Sequence, residues 1–160
     1  MKRKILLIFV LGLGLTTQGT TQDRPKLFAD VERVFRETEG NWKVERRYPT
    51  HTSDPITFGI VFRSRVGQAS VEIDIWKQTS EAIEAFTGLS LSFDNMAGKK
   101  MVKRTLPQMG DENHVWTNPG STAWPTIKFR KGNVVVTVFA PSLVIGKRFA
   151  QHVLAQIDAS

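Results

Sequence analysis

Three places in this 160-residue chain concentrate side chains capable of chemistry: an acidic stretch ending in a histidine, a loop framed by two tryptophans, and a basic run. Asp111-Glu112-Asn113-His114 follows Gly110 and puts two carboxylates and an imidazole within four residues. A loop could gather them around a metal ion or a polarised water, with His51 and Asp54 as partners from an earlier loop. Their spacing matches no established metal pattern, and Asp in such turns commonly caps local backbone amides. No catalytic residue, metal ligand or cofactor is therefore assigned. A metal-dependent or general acid/base hydrolase using Asp111, Glu112 and His114 stands as an alternative. His152, between Phe149 and Val153, reads as a packing or surface residue.

Trp116 to Pro125 reads Trp-Thr-Asn-Pro-Gly-Ser-Thr-Ala-Trp-Pro, two indoles around small hydroxyl and amide groups. Such a loop could stack on a sugar or grip an extended peptide while hydrogen bonds fix its orientation, which makes Trp116, Asn118 and Trp124 the candidate ligand-binding residues. Indoles beside hairpins also close core edges. The run Lys99, Lys100, Lys103 and Arg104 could contact acidic envelope polymers by electrostatic adhesion, or keep an edge strand from pairing.

No phosphate-binding glycine loop, nucleophile elbow, dinucleotide fingerprint or His-Glu-x-x-His motif occurs. The absence of cysteine removes disulfides, cysteine-ligated metal, thiol nucleophiles and a lipidated cysteine. Residues 1–22 read as a signal peptide: Lys2-Arg3-Lys4, then the apolar run Ile5 to Leu15, then small and polar residues. Eleven apolar residues fall short of the roughly 20 that span a membrane, so no stable anchor is expected. Cleavage would remove three basic residues and no acid, leaving 19 basic residues against 15 acidic ones, a net +4 in place of +7. The expectation is one exported domain over 23–160, periplasmic or extracellular and not a lipoprotein. No nucleic-acid motif accompanies the charge, and an exported chain seldom meets nucleic acid.

The elements that would position these groups follow from periodicity. Leu27, Phe28, Val31, Val34 and Phe35 make one helical stripe that stops near Gly40. Trp42 to Tyr48 reads as a strand. Ile56–Arg63 and Ala69–Lys77 form a hairpin through the five residues from Ser64 to Gln68, with Val71, Ile73 and Ile75 on the core face and Glu72, Asp74 and Trp76 on a partly wet one. A helix from Ser80 should bury Ile83, Phe86, Leu89, Phe93 and Met96, unless Gly88 ends it early. The basic run makes an edge strand, and His114 to Thr117 a short strand. Thr126–Arg130 and Val134–Ala140 form a second hairpin whose apolar second arm belongs inside the sheet. Ser142 caps a last helix with Ile145, Phe149, Val153, Leu154 and Ile157 inward, and Gly146 and Ala150 allowing close approach. The class is α+β: an antiparallel sheet of about five to seven strands packed by two or three helices.

Gly110-Asp111-Glu112, the aromatic strand after it, Phe129-Arg130-Lys131-Gly132-Asn133-Val134-Val135-Val136 and the helix at Lys147-Arg148-Phe149-Ala150 resemble small secreted or lipoprotein bacterial α+β domains of unknown function. The likeness covers about residues 110–158. It implies an exported α+β sandwich and transfers no catalytic residue; the lipobox cysteine of such proteins is missing here. The function expected is non-enzymatic binding of a ligand or cell-envelope component, a glycan or a protein.

Overall fold

A computed structural model describes residues 24–48, 54–97, 101–118 and 124–160. The signal segment 1–22, His51, Lys99, Lys100 and the centre of the tryptophan loop lie outside the described residues. The order is α1 (Arg24–Thr38), β1 (Lys43–Arg47), β2 (Ile56–Ser64), β3 (Gly67–Ile75), α2 (Thr79–Ala97), β4 (Val102–Arg104), β5 (Glu112–Thr117), β6 (Thr126–Lys131), β7 (Val134–Phe139) and α3 (Leu143–Asp158). The seven strands form one antiparallel sheet in the order β1-β2-β3-β7-β6-β5-β4, as the α+β expectation required. The apolar run of β7 lies at its centre and the basic β4 at one edge.

Strand alternation assigns the two faces. Phe58, Ile60 and Phe62 of β2, Val71, Ile73 and Ile75 of β3, Ile127 and Phe129 of β6 and Val134, Val136 and Val138 of β7 join α1 and α3 in the main core. Phe149 is its hub, with edge-on contacts to Phe35, Trp42 and Phe62. The α3 stripe is as expected: Phe149, Val153 and Ile157 are buried, and a Cβ at Gly146 would come 3.1 Å from Ile127 Cδ1. On the opposite face α2 covers part of the sheet through Ala82, Phe86, Val135 and Trp76.

Three readings of the sequence are corrected. The β2–β3 connection is two residues, Arg65-Val66, because pairing continues to Ser64 and Gly67, whose φ of +133° suits glycine. Helix α2 runs through Gly88, where an added Cβ would meet nothing within 4 Å. Its stripe is also rotated: Ala82, Phe86 and Ser90 are buried, whereas Ile83 and Leu89 are 41% and 40% exposed. Buried positions 82, 86 and 90 fall one helical turn apart, and the small Ala82 and Ser90 suit a helix lying close over a crowded sheet face.

The β5–β6 end is fixed by a glycine. Gly110 has φ +69°, and a Cβ there would come 2.5 Å from the Arg130 carbonyl oxygen. Gly110→Ala is expected to cost about 1–3 kcal/mol, and more than Gly132→Ala, whose φ is also positive but whose Cβ would be in open space. Urea unfolding of both variants measures the difference. Equal costs would show that the approach to the Arg130 carbonyl relaxes freely.

Candidate functional site

Glu112 opens β5 instead of sitting in a loop, and alternation turns Glu112, His114 and Trp116 toward the α2 side. Arg130, directly opposite Glu112, binds it through Nε at 2.9 Å, reaches Asp111 through Nη1 at 3.2 Å and donates to the Gly132 carbonyl at 2.7 Å. Asp111 also accepts from the Gly132 N–H at 2.8 Å. Burial would raise its carboxyl, but the Gly132 amide, Lys131 and Arg130 together hold it below the usual carboxylate range. These two acids staple the β6–β7 turn. Among the described residues no group of three or more His, Asp or Glu side chains could hold a metal ion.

Trp116 is 1% exposed, stacks on Phe93 at 5.0 Å and gives its indole N–H to Asp94 Oδ1 at 2.8 Å. Lys103 binds the other oxygen of Asp94 at 2.7 Å, and these two bonds, Lys103 first, lower the Asp94 pKa. Trp116 and Lys103 therefore tie β4 and β5 to α2. Arg104 is exposed on edge strand β4, Asn118 is half-buried and Trp124 is 40% exposed. The two indoles differ in role: one is core, the other open to solvent.

Sequence reading left without an assignment a polar row on the α2 side of the sheet that runs out to exposed Glu72. Glu72, Thr137, Lys128 and His114 lie directly opposite one another across β3, β7, β6 and β5, and Asp74 stands two residues beyond Glu72. Lys128 is 1% exposed, and burial brings its pKa down from 10.5 to about 8 despite the pull of Asp74 and Glu72. Its ammonium lies 5.8 Å from the Phe93 ring centre. Burial raises Asp74, against a 2.7 Å hydrogen bond from Thr57. Burial and then Lys103 lower His114, whose ring stacks on Phe86 at 5.3 Å. Trp76 Nε1, Ser90 Oγ and His114 Nδ1 are buried without a hydrogen-bond partner.

A second cluster opens to solvent on the other side of the molecule. The α1–β1 turn, the β2–β3 turn and the first half of α3 enclose a cleft of about 930 Å³, lined by Trp42, Lys43, Arg63, Arg65, Ile145 and Arg148. A hollow of about 310 Å³ adjoins it and reaches Glu39 and His152. Glu39 follows α1, is 6% exposed, and grips Arg148 along one edge of the guanidinium, through Nε and through Nη2 at 2.8 Å. His152 Nε2 is 3.0 Å from Glu39 Oε1. Thr38 Oγ1, at 3.5 Å, approaches that same ring nitrogen and donates at 2.7 Å to the Val34 carbonyl. A nucleophile and an orienting carboxylate would need opposite ring nitrogens, so this is not a catalytic relay. It is a support for Arg148.

Arg63 is held in the same manner. Its Nε and Nη2 both donate to Glu45 Oε1, at 3.3 and 3.0 Å, while Gln68 donates to Glu45 Oε2 at 2.7 Å. The Arg63 and Gln68 bonds hold the Glu45 carboxyl below its usual range. Lys43 and Arg65 have no acid in ion-pair range among the described residues. The cleft thus carries two clamped and two free cations.

Fold and site together define an α+β sandwich with a basic cleft beside the β2–β3 turn. No protein-family model and no curated protein matches this chain. Among solved structures, a GTP binding regulator from Thermotoga maritima aligns at 13% identity and TM-score 0.45, over 77% of this chain and 83% of that one. At that level the likeness carries nothing over. Among the described residues no helix is long and apolar enough to cross a membrane.

Proposed function

We propose that the chain is an exported, non-enzymatic domain that binds an anionic ligand or envelope component in the cleft beside the β2–β3 turn. The supporting observation is the gathering of Lys43, Arg63, Arg65 and Arg148 from four elements around one concave surface, two of them without an acid partner. Opposed like charges such as the Lys43↔Arg63 cross-strand pair are unfavourable unless an anion neutralises them, and Glu45 does so only for Arg63. Residues 1–22 are the export signal in this reading. Mass spectrometry of the protein recovered outside the cytoplasm should find a start near residue 23; an intact Met1 there would overturn the cleaved signal, and recovery from the cytoplasm alone would overturn export.

The Arg65→Glu variant is expected to lower the affinity for orthophosphate or citrate by about tenfold at low salt, as measured by titration calorimetry, with the effect fading at high salt. Unchanged binding, or no binding of any anion by the wild-type chain, would sink the proposal. A second reading, ligand contact at the loop framed by Trp116 and Trp124 with Asn118, draws support from the exposure of Trp124 alone, since Trp116 is buried. In that case Trp124→Ala, and not Arg65→Glu, removes the fluorescence response to envelope glycans.

A further inference from the structure

Glu39 and Glu45 occupy the Nε/Nη2 edges of Arg148 and Arg63, the edges that hold a carboxylate best. What each arginine has left is its end-on edge, the second Nη2 hydrogen and the two on Nη1. Lys43 and Arg65 add two cations without acid partners, Lys43 directly across the ladder from Arg63 and Arg65 two residues after it. Two such end-on edges and two point charges, supplied from different elements, match a tetrahedral phosphate, whose several oxygens accept from different directions.

Size adds a second constraint. A cleft of about 930 Å³ could hold on the order of thirty water volumes, far more than one phosphate fills. Its cations come from β1, β2, the β2–β3 turn and α3, so different walls of the cleft supply them. Each clamped arginine has one end to offer and can serve one anionic group. Exposed Val66, at 65%, and half-buried Ile145 give the cleft apolar surface between the charges.

We infer that the cleft takes a linear phosphate polymer, reading several successive phosphates with Lys43, Arg63, Arg65 and Arg148. The inference rests on the proposed anion site and narrows it from a single anion to a repeated one. Glu39 and Glu45 act as positioning residues: each fixes a guanidinium without touching the ligand.

Calorimetric titration of the purified chain with orthophosphate, tripolyphosphate, long-chain inorganic polyphosphate and poly-glutamate tests it. Affinity should rise at least tenfold at each step of phosphate chain length, and the long chain should outbind poly-glutamate. Its affinity should fall with salt at a log–log slope near −3, roughly that of about four phosphates neutralised on a single strand. Lys43→Glu with Arg65→Glu should abolish the length dependence, whereas Lys77→Glu, the same kind of change at an exposed lysine outside the cleft, should leave it intact. Glu39→Gln, with circular dichroism unchanged, should lessen the gain between orthophosphate and long chains because Arg148 is then held by one neutral amide oxygen in place of two carboxylate oxygens. Orthophosphate binding that depends on Arg65 but does not grow with chain length would overturn the polymer and keep the anion site. Equal binding of poly-glutamate would overturn the choice of phosphate, and no binding of any anion would overturn both. Tighter binding of an oligonucleotide than of polyphosphate would overturn a site that reads phosphates alone.

Discussion

Lys128→Met is expected to stabilise the folded chain by about 2–3 kcal/mol at pH 7, an unusual sign for replacement of a buried residue in a central region of a sheet. Lys128 is 1% exposed and titrates at about 8 instead of 10.5 because burial disfavours its charge. A base whose folded pKa is depressed is destabilising wherever the unfolded chain keeps the proton. The cost is absent above pH 10.5, grows as pH falls toward 8, and is complete below 8. Methionine removes it, so the advantage of the variant should be full at pH 7 and shrink between pH 8 and 10.5. Part of the gain is given back, since Asp74 and Glu72 lose their nearest cation and their already raised carboxyls rise further. Urea unfolding at pH 7 and at pH 10 measures both numbers. A methionine variant less stable than wild type at pH 7 would show that the attraction of Asp74 and Glu72 outweighs the desolvation of Lys128.

That row also shows where the sequence stopped being informative. Period-two alternation correctly separated Val71, Ile73 and Ile75 from Glu72, Asp74 and Trp76, and Val134 to Ala140 was legible as an inner strand. Alternation cannot say what covers the second face. With solvent there, Lys128 would be an ordinary surface lysine; with α2 there it is buried. The same ignorance misplaced the α2 stripe: Ile83 and Leu89 are more apolar than Ala82 and Ser90, yet the small pair is buried. Trp116 and Trp124 looked equivalent because both flank the same loop, and the packing of Trp116 on Phe93 and its bond to Asp94, 22 residues away, separate them. The cleft was least legible of all. Its cations stand at positions 43, 63, 65 and 148, and Arg148 is placed by Glu39, 109 residues away. The basic run at Lys99 to Arg104 drew attention because it is contiguous, whereas the gathered charge is made by pairing β1 with β2 and laying α3 beside them.

Phe149→Ala should be the most damaging of the substitutions considered, at about 3–5 kcal/mol, against the roughly 5–15 kcal/mol of an ordinary domain. The ring is fully buried, and its centre lies 4.6 Å from Phe35, 5.2 Å from Trp42 and 5.5 Å from Phe62, all edge-on. Those partners come from α1, the α1–β1 turn and β2, so the void would open where three segments meet and could not be filled by moving any one of them. The chain has no cysteine and hence no disulfide to hold these segments together. Leu154→Ala, at a half-buried position of the same helix, should cost clearly less. Because Trp42 also lines the cleft, the loss should reach function: below the melting temperature, Phe149→Ala should weaken anion binding although Phe149 is not among the residues that line the cleft. Thermal unfolding followed by Trp fluorescence, with calorimetric titration at a temperature where the variant is fully folded, separates the two effects. A stability loss under about 1.5 kcal/mol would mean that the three aromatic walls close over the void, and that the core is not organised around this ring.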